Sequence, residues 1–119
     1  MSARLVERRE GDLVWLSAEG RGWRAVFSTR LGGVSQSPYD ALNLSLLVGD
    51  DPRRVLANRE RLLATLGLTL DDLVVPAQVH GVRVRRVDRS DAGRGARDQA
   101  QAVPATDGLL TTAPGVAML

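Results

Sequence analysis

The chain has 119 residues, of which 44% are hydrophobic, enough for one domain with its own core and too apolar for a disordered polypeptide. All 16 basic side chains are arginine and the formal net charge is only +2. The sequence pI of about 10.3 therefore reflects arginine chemistry rather than a strongly basic surface, and with aromatics at 3% a nucleic-acid partner is a poor fit. The absence of cysteine excludes disulfides and thiolate metal ligands within the chain. No apolar run approaches the ~20 residues of a membrane span, and the arginine-rich segment Met1 to Glu10 lacks the apolar centre of a signal peptide. A cytoplasmic location is the resulting expectation.

In chain order, Asp12 to Leu16 and Trp23 to Ser28 are two β-favouring runs around a loop with two glycines, which predicts an antiparallel hairpin. Thr29 to Ser45 carries glycines, a proline and short polar residues among a few apolar anchors. It reads as a long ordered loop, with room for one helical turn at Tyr39 to Leu42; loops of this length in compact domains usually serve a function. Gly32-Gly33 is either a plain turn beside an exposed Arg30 or a place where backbone approaches a ligand, with Arg30 meeting an anion.

Asp51 suits a helix N-cap, Pro52 the first helical position and Gly67 the stop, predicting a helix from Pro52 to about Leu66. Val55, Leu56, Leu62, Leu63 and Leu66 form its apolar face, and Arg59 projects near the middle of that face. Either the Arg59 stem lies along the core with its head in solvent, or the guanidinium fixes a loop or an anion in a cleft. Asp71-Asp72 can cap a short turn. Val74 to His80, Gly81, and Val82 to Asp88 read as strand, turn and strand. His80, the only imidazole, then sits at the lip of the turn, where a metal ligand, a general base or an ordinary exposed histidine would all be at home.

Arg89 to Pro104, with many Gly, Ala, Asp, Arg and Gln, predicts a surface loop and the most disordered segment. Thr106 to Thr112 reads as a strand, Ala113-Pro114-Gly115 as a turn, and Val116 to Leu119 as a strand that stops in mid-run, so the chain is expected to be incomplete. The elements together predict one domain of mixed α/β (α+β) class: a layered mixed β-sheet with packed helices, incomplete at the C-terminus. Uncovered apolar surface would then favour self-association.

Several of these segments stand in an order that resembles one family. They are Phe27-Ser28-Thr29-Arg30-Leu31-Gly32-Gly33-Val34-Ser35, Pro38-Tyr39-Asp40-Ala41-Leu42-Asn43-Leu44, Val48-Gly49-Asp50-Asp51, Asn58-Arg59, Gln78-Val79-His80-Gly81 and Thr106-Asp107-Gly108-Leu109-Leu110-Thr111-Thr112. Taken together they resemble the YfiH-type laccase-domain proteins, the multicopper-polyphenol-oxidoreductase-like group described as purine nucleoside phosphorylases. The resemblance implies phosphorolysis of adenosine, inosine, guanosine and methylthioadenosine, with deamination of adenosine.

It further implies a zinc held by a histidine that maps onto His80, by a cysteine and by a second histidine. The latter two find no counterpart here, so the chain resembles the N-terminal half of such a protein. Within that resemblance, Arg30 is a candidate for phosphate or leaving-base charge. Asn43 and Gln78 are candidates for hydrogen bonds to the substrate, or for loop and turn bracing. The alternatives are a noncatalytic α/β fragment or binding module and, last, a copper-dependent polyphenol oxidase.

Overall fold

The computed structural model describes residues 4–119, so the first three residues of the arginine-rich start lie outside the described residues. The chain forms two compact units, Met1–Leu62 and Leu63–Leu119. In the first, β1 (Val6–Glu10), β2 (Leu13–Gly20) and β3 (Trp23–Ser28) make an antiparallel sheet in the order β1-β2-β3. The expected hairpin is present, with Gly20 opposite Trp23 and Trp15 opposite Ser28.

Two features of this sheet depart from the sequence reading. β2 runs on through Ser17-Ala18-Glu19-Gly20, expected as loop, because β1 and β3 flank it and take its backbone groups on both sides. β1 itself went unforeseen. All five of its residues are exposed, so Val-Glu-Arg-Arg-Glu carries no apolar alternation for a sequence pattern to detect.

The helix α1 (Pro52–Ala64) starts where expected. The Asp51 carboxylate accepts from the Arg53 amide at 2.9 Å and the Asp51 carbonyl from the Arg54 amide at 3.0 Å, which satisfies first-turn donors. The helix closes two residues early and turns into Gly67, whose φ of 70° suits a residue without Cβ. Its buried stripe holds Val55 and Leu63, but also Asn58 and Arg59. Between β3 and α1 the long segment contains no helical turn at Tyr39–Leu42. A single α-helix is present among the described residues, supplemented by short 3-10 turns, where packed helices were expected.

The second unit pairs its strands in parallel. β4 (Leu73–Val74) lies beside β7 (Ala117–Met118), and β5 (Val84–Arg86) beside β6 (Gly108–Leu110). Val74, Val87 and Val103 form its core, with Leu109 and Val116 packed on them. The strand–turn–strand expected across His80 is absent, because β4 and β5 belong to different sheets. After Val74 the chain instead threads between two neighbours. Val75 donates to the Arg94 carbonyl at 2.9 Å and accepts from the Val103 amide at 3.0 Å, and Ala77 donates to the Val103 carbonyl at 2.8 Å.

Residues 89–104, expected to be a disordered surface loop, form an ordered part of this unit. Two 3-10 turns, Arg89–Asp91 and Gln99–Gln101, are capped by Asp88 and Asp98. Ala96 and Val103 are fully buried. The small residues serve close packing: a Cβ on Gly95 would lie 2.8 Å from the Val75 carbonyl oxygen. The overall class is mixed α/β as expected, with antiparallel and parallel pairing in separate sheets.

Candidate active site

The residues singled out by motif fall in both units, Arg30 and Asn43 in the first, Gln78 and His80 in the second. In the first unit they belong to a loop that the helix holds from one side. Asn58 is 1% exposed, and every polar atom of its carboxamide is engaged. Its Oδ1 accepts from the Val34 amide at 2.8 Å. Its Nδ2 donates to Ser35 Oγ at 2.9 Å, to the Asn43 carbonyl at 2.9 Å and to the Ala41 carbonyl at 3.3 Å.

At the next position of the helix, Arg59 Nε donates to the Leu44 carbonyl at 2.8 Å. Of the two readings open for this buried guanidinium, the contact supports the one in which it fixes a loop. Arg61 reaches the Gly32 carbonyl and, at 2.7 Å, the Asp12 carboxylate.

Asn43 Nδ2 donates to Asp50 Oδ2 at 3.1 Å and to the Ser45 carbonyl at 3.3 Å, while its Oδ1 accepts from the Ser45 amide at 3.1 Å. Its contacts in this structure are those of a brace within the loop. Asp50 Oδ2 also accepts from Ser35 Oγ at 2.5 Å. That hydroxyl is the main reason the Asp50 carboxyl is held below the usual carboxylate range; burial opposes it, and the Asn43 and Asp51 N–H groups add to it.

Arg30 contributes its backbone carbonyl to the same frame, accepting from the Ala41 and Leu42 amides at 2.9 Å each. Its guanidinium is exposed and has no partner among the described residues. Neither reading of Gly32-Gly33, a plain turn or a backbone approach to a ligand, anticipated what the structure shows there, close packing of the chain on itself. A Cβ on Gly32 would collide with Leu13 and one on Gly33 with the Ala41 carbonyl.

In the second unit the exposed segment from Gln78 to Gly81 is wrapped around one carboxylate. Asp107 Oδ1 accepts from the Val79 amide at 3.0 Å and the His80 amide at 2.8 Å, and Oδ2 from the Gly81 amide at 2.8 Å. Desolvation pushes the Asp107 carboxyl up, but these three N–H bonds and the charge of His80 outweigh it, so it lies below its ordinary range. His80 adopts φ of 58°, a left-handed conformation uncommon for a residue with a Cβ. The imidazole and the Gln78 carboxamide are exposed and without partners among the described residues.

A catalytic metal takes about three protein ligands and keeps one position open. Among the described residues no group of three or more His, Cys, Asp or Glu is arranged to hold an ion. The carboxylate nearest His80 in bonding, Asp107, has both oxygens engaged by backbone N–H groups. The donors of this chain therefore do not by themselves fit a metal centre; they offer one imidazole.

Sequence reasoning singled out Arg30, Asn43, Gln78 and His80 as candidates but did not anticipate the contacts of Ser35, Asp50, Asn58 and Asp107. Thr106-Asp107-Gly108 is legible as a turn, yet no local signal indicates that its acceptors are spent on residues 79–81.

The chain is thus a mixed α/β framework with a braced loop in one unit and an exposed His80 turn in the other. The family model described as multi-copper polyphenol oxidoreductase laccase matches residues 24–119. The chain belongs to that family.

Among curated proteins it is 46% identical over 103 residues to a purine nucleoside phosphorylase of Corynebacterium glutamicum, covering 87% of this chain and 39% of that protein. It is 42% identical over 109 residues to the purine nucleoside phosphorylase YlmD of Geobacillus stearothermophilus, covering 82% of this chain and 40% of YlmD. The crystal structure of YlmD from Geobacillus stearothermophilus superposes with a TM-score of 0.86 at 39% identity, over 97% of this chain and 43% of that one. Bacillus licheniformis YfiH gives a TM-score of 0.77 at 29% identity, over 92% of this chain and 41% of that one. The chain thus spans about two fifths of the relatives it matches.

Proposed function

We propose that the protein to which these residues belong is a purine nucleoside phosphorylase that uses phosphate to split nucleosides such as adenosine, inosine, guanosine and methylthioadenosine, and that also deaminates adenosine. The observation that carries the reading is the 46% identity over 103 residues to a relative bearing the phosphorylase name. In phosphorolysis a phosphate oxygen bonds to the anomeric carbon as the glycosidic bond breaks, and the purine leaves with a proton.

The Arg30 guanidinium, exposed and without a partner among the described residues, is suited to a phosphate or to charge on the leaving base. Gln78 offers both a donor and an acceptor to the purine edge. Asn43 either meets the substrate directly or shapes the loop that does. His80 is assigned as one ligand of a zinc, with copper the alternative ion and the remaining ligands supplied from outside these 119 residues. No helix among the described residues is long and apolar enough to cross a membrane, in keeping with a cytoplasmic enzyme of small molecules.

The test uses full-length protein with adenosine or inosine and phosphate, with and without added zinc, quantifying free base and ribose 1-phosphate. Arg30→Ala is expected to lower kcat/KM by about 10²-fold, and His80→Ala to abolish most turnover. Undiminished turnover in His80→Ala removes the imidazole from the reaction. A noncatalytic module is the second reading, favoured by the single imidazole present, and absence of turnover in wild type, with or without added zinc, would support it.

A further inference from the structure

Asp107 has no role in the reading above, yet it is the side chain around which the His80 turn is built. Its carboxylate is enclosed by three successive backbone N–H groups, from Val79, His80 and Gly81, at 3.0, 2.8 and 2.8 Å. Convergent N–H groups of this kind form a concavity that requires an anion. The backbone of the same residue grips the far end of the loop. The Asp107 amide donates to the Arg83 carbonyl at 3.0 Å, and the Gly108 amide joins it at 3.2 Å. Residues 79–83 are thus clasped at both ends from one position.

We infer that Asp107 is the positioning residue for His80: its carboxylate, seated among the N–H groups of residues 79–81, holds the left-handed turn that presents the imidazole. The inference rests on His80 acting in the proposed reaction. At φ of 58° a residue with a Cβ is disfavoured, so the turn needs a compensating interaction, and three charge-assisted hydrogen bonds supply it.

Asp107 is in turn placed by the frame of the unit. The Thr106 amide donates to the Ala77 carbonyl at 3.0 Å, and Gly108 begins β6 opposite Val84. Gly81 completes the fit, since a Cβ there would stand 3.2 Å from Asp107 Oδ2. Both carboxylate oxygens face backbone donors, so the residue acts through His80 rather than on a substrate. An asparagine would turn an NH2 toward an N–H and lose part of the cradle; an alanine would lose all of it.

The experiment compares wild type, Asp107→Asn, Asp107→Ala and His80→Ala as full-length proteins. It follows amide hydrogen exchange at residues 79–81, the His80 imidazole resonances and the kinetics of phosphorolysis, each with and without formate. In Asp107→Ala, exchange at Val79, His80 and Gly81 is expected to accelerate at least about tenfold, with β6 amides unchanged. The imidazole resonances should shift, and kcat should fall more than KM for phosphate rises.

Asp107→Asn should show the same changes in smaller measure, and it decides the matter if the alanine variant fails to fold. Formate, a carboxylate small enough for the vacated cradle, should restore activity to Asp107→Ala and not to His80→Ala. Unchanged exchange and imidazole resonances in both Asp107 variants would overturn the inference, as would lost activity that formate leaves unrestored. If wild type shows no phosphorolysis, the functional reading fails, while exchange and resonances still report whether Asp107 holds the turn.

Discussion

Asn58 carries more of the first unit's loop than its size suggests. Four partners on the segment from Val34 to Asn43 meet one buried carboxamide, and none of them could be served by an apolar side chain of the same volume. Asn58→Leu is expected to cost about 2–4 kcal/mol, because buried donors and acceptors are left unmade. Chemical unfolding of the full-length protein measures it, and a loss below about 0.5 kcal/mol, the usual range for surface changes, would mean that water or a rearranged loop replaces the amide. His80 presents the opposite case at this scale: an unfavoured φ and a side chain without partners among the described residues, the pattern expected of a residue kept for chemistry rather than stability. Its place in Gln78-Val79-His80-Gly81 was legible in the sequence. Its clasp by Asp107 was not, since hydrogen bonds between residues far apart in the chain leave no local pattern.

At the level of elements, the loop between β3 and α1 is a polar construction whose hub is Asp50. The folded state holds this carboxyl below its ordinary value, chiefly through the Ser35 hydroxyl. The stabilising effect is therefore fully present above the unfolded pKa and is lost as pH falls through the lower, folded value. Asp50→Asn should remove that contribution, so its unfolding midpoint should fall less steeply than wild type as pH falls below the unfolded carboxylate pKa of about 4. Parallel profiles would show that Asp50 contributes nothing to the acid limb. The remaining acid sensitivity belongs to groups such as Asp72, depressed by the Thr69 amide and by Arg89. The helix and the β2–β3 hairpin could be read in advance because caps, a stop glycine and β-rich runs are local signals. Residues 89–104 were misjudged for the same reason. Their glycine and alanine content suggests disorder by composition, whereas the Val75 carbonyl and the Ala102 Cα leave no room for a Cβ at Gly95, and Ala96 and Ala102 are buried.

Over the whole molecule, exposed apolar side chains occur in both units, and some of them lie by an open strand edge. Val82 is 98% exposed, Val84 66% and Leu110 55%, on or beside a two-stranded parallel pair. Apolar side chains next to unpaired edges promote association. The 119-residue chain is expected to self-associate in light scattering, and Val82→Thr with Val84→Thr and Leu110→Thr to shift it toward monomer. A monodisperse wild-type monomer at all concentrations would refute this. The expectation of mixed α/β was sound at this scale, but the parallel strand partners were not legible, because parallel pairing joins segments that no turn connects. That pairing also has a bearing on synthesis. Each antiparallel partner in the first sheet leaves the ribosome within a short hairpin of its mate, whereas Leu73 and Val74 wait for Ala117 and Met118. A nascent chain can close its first sheet early, and must carry β4 without its β7 partner until Ala117 and Met118 emerge.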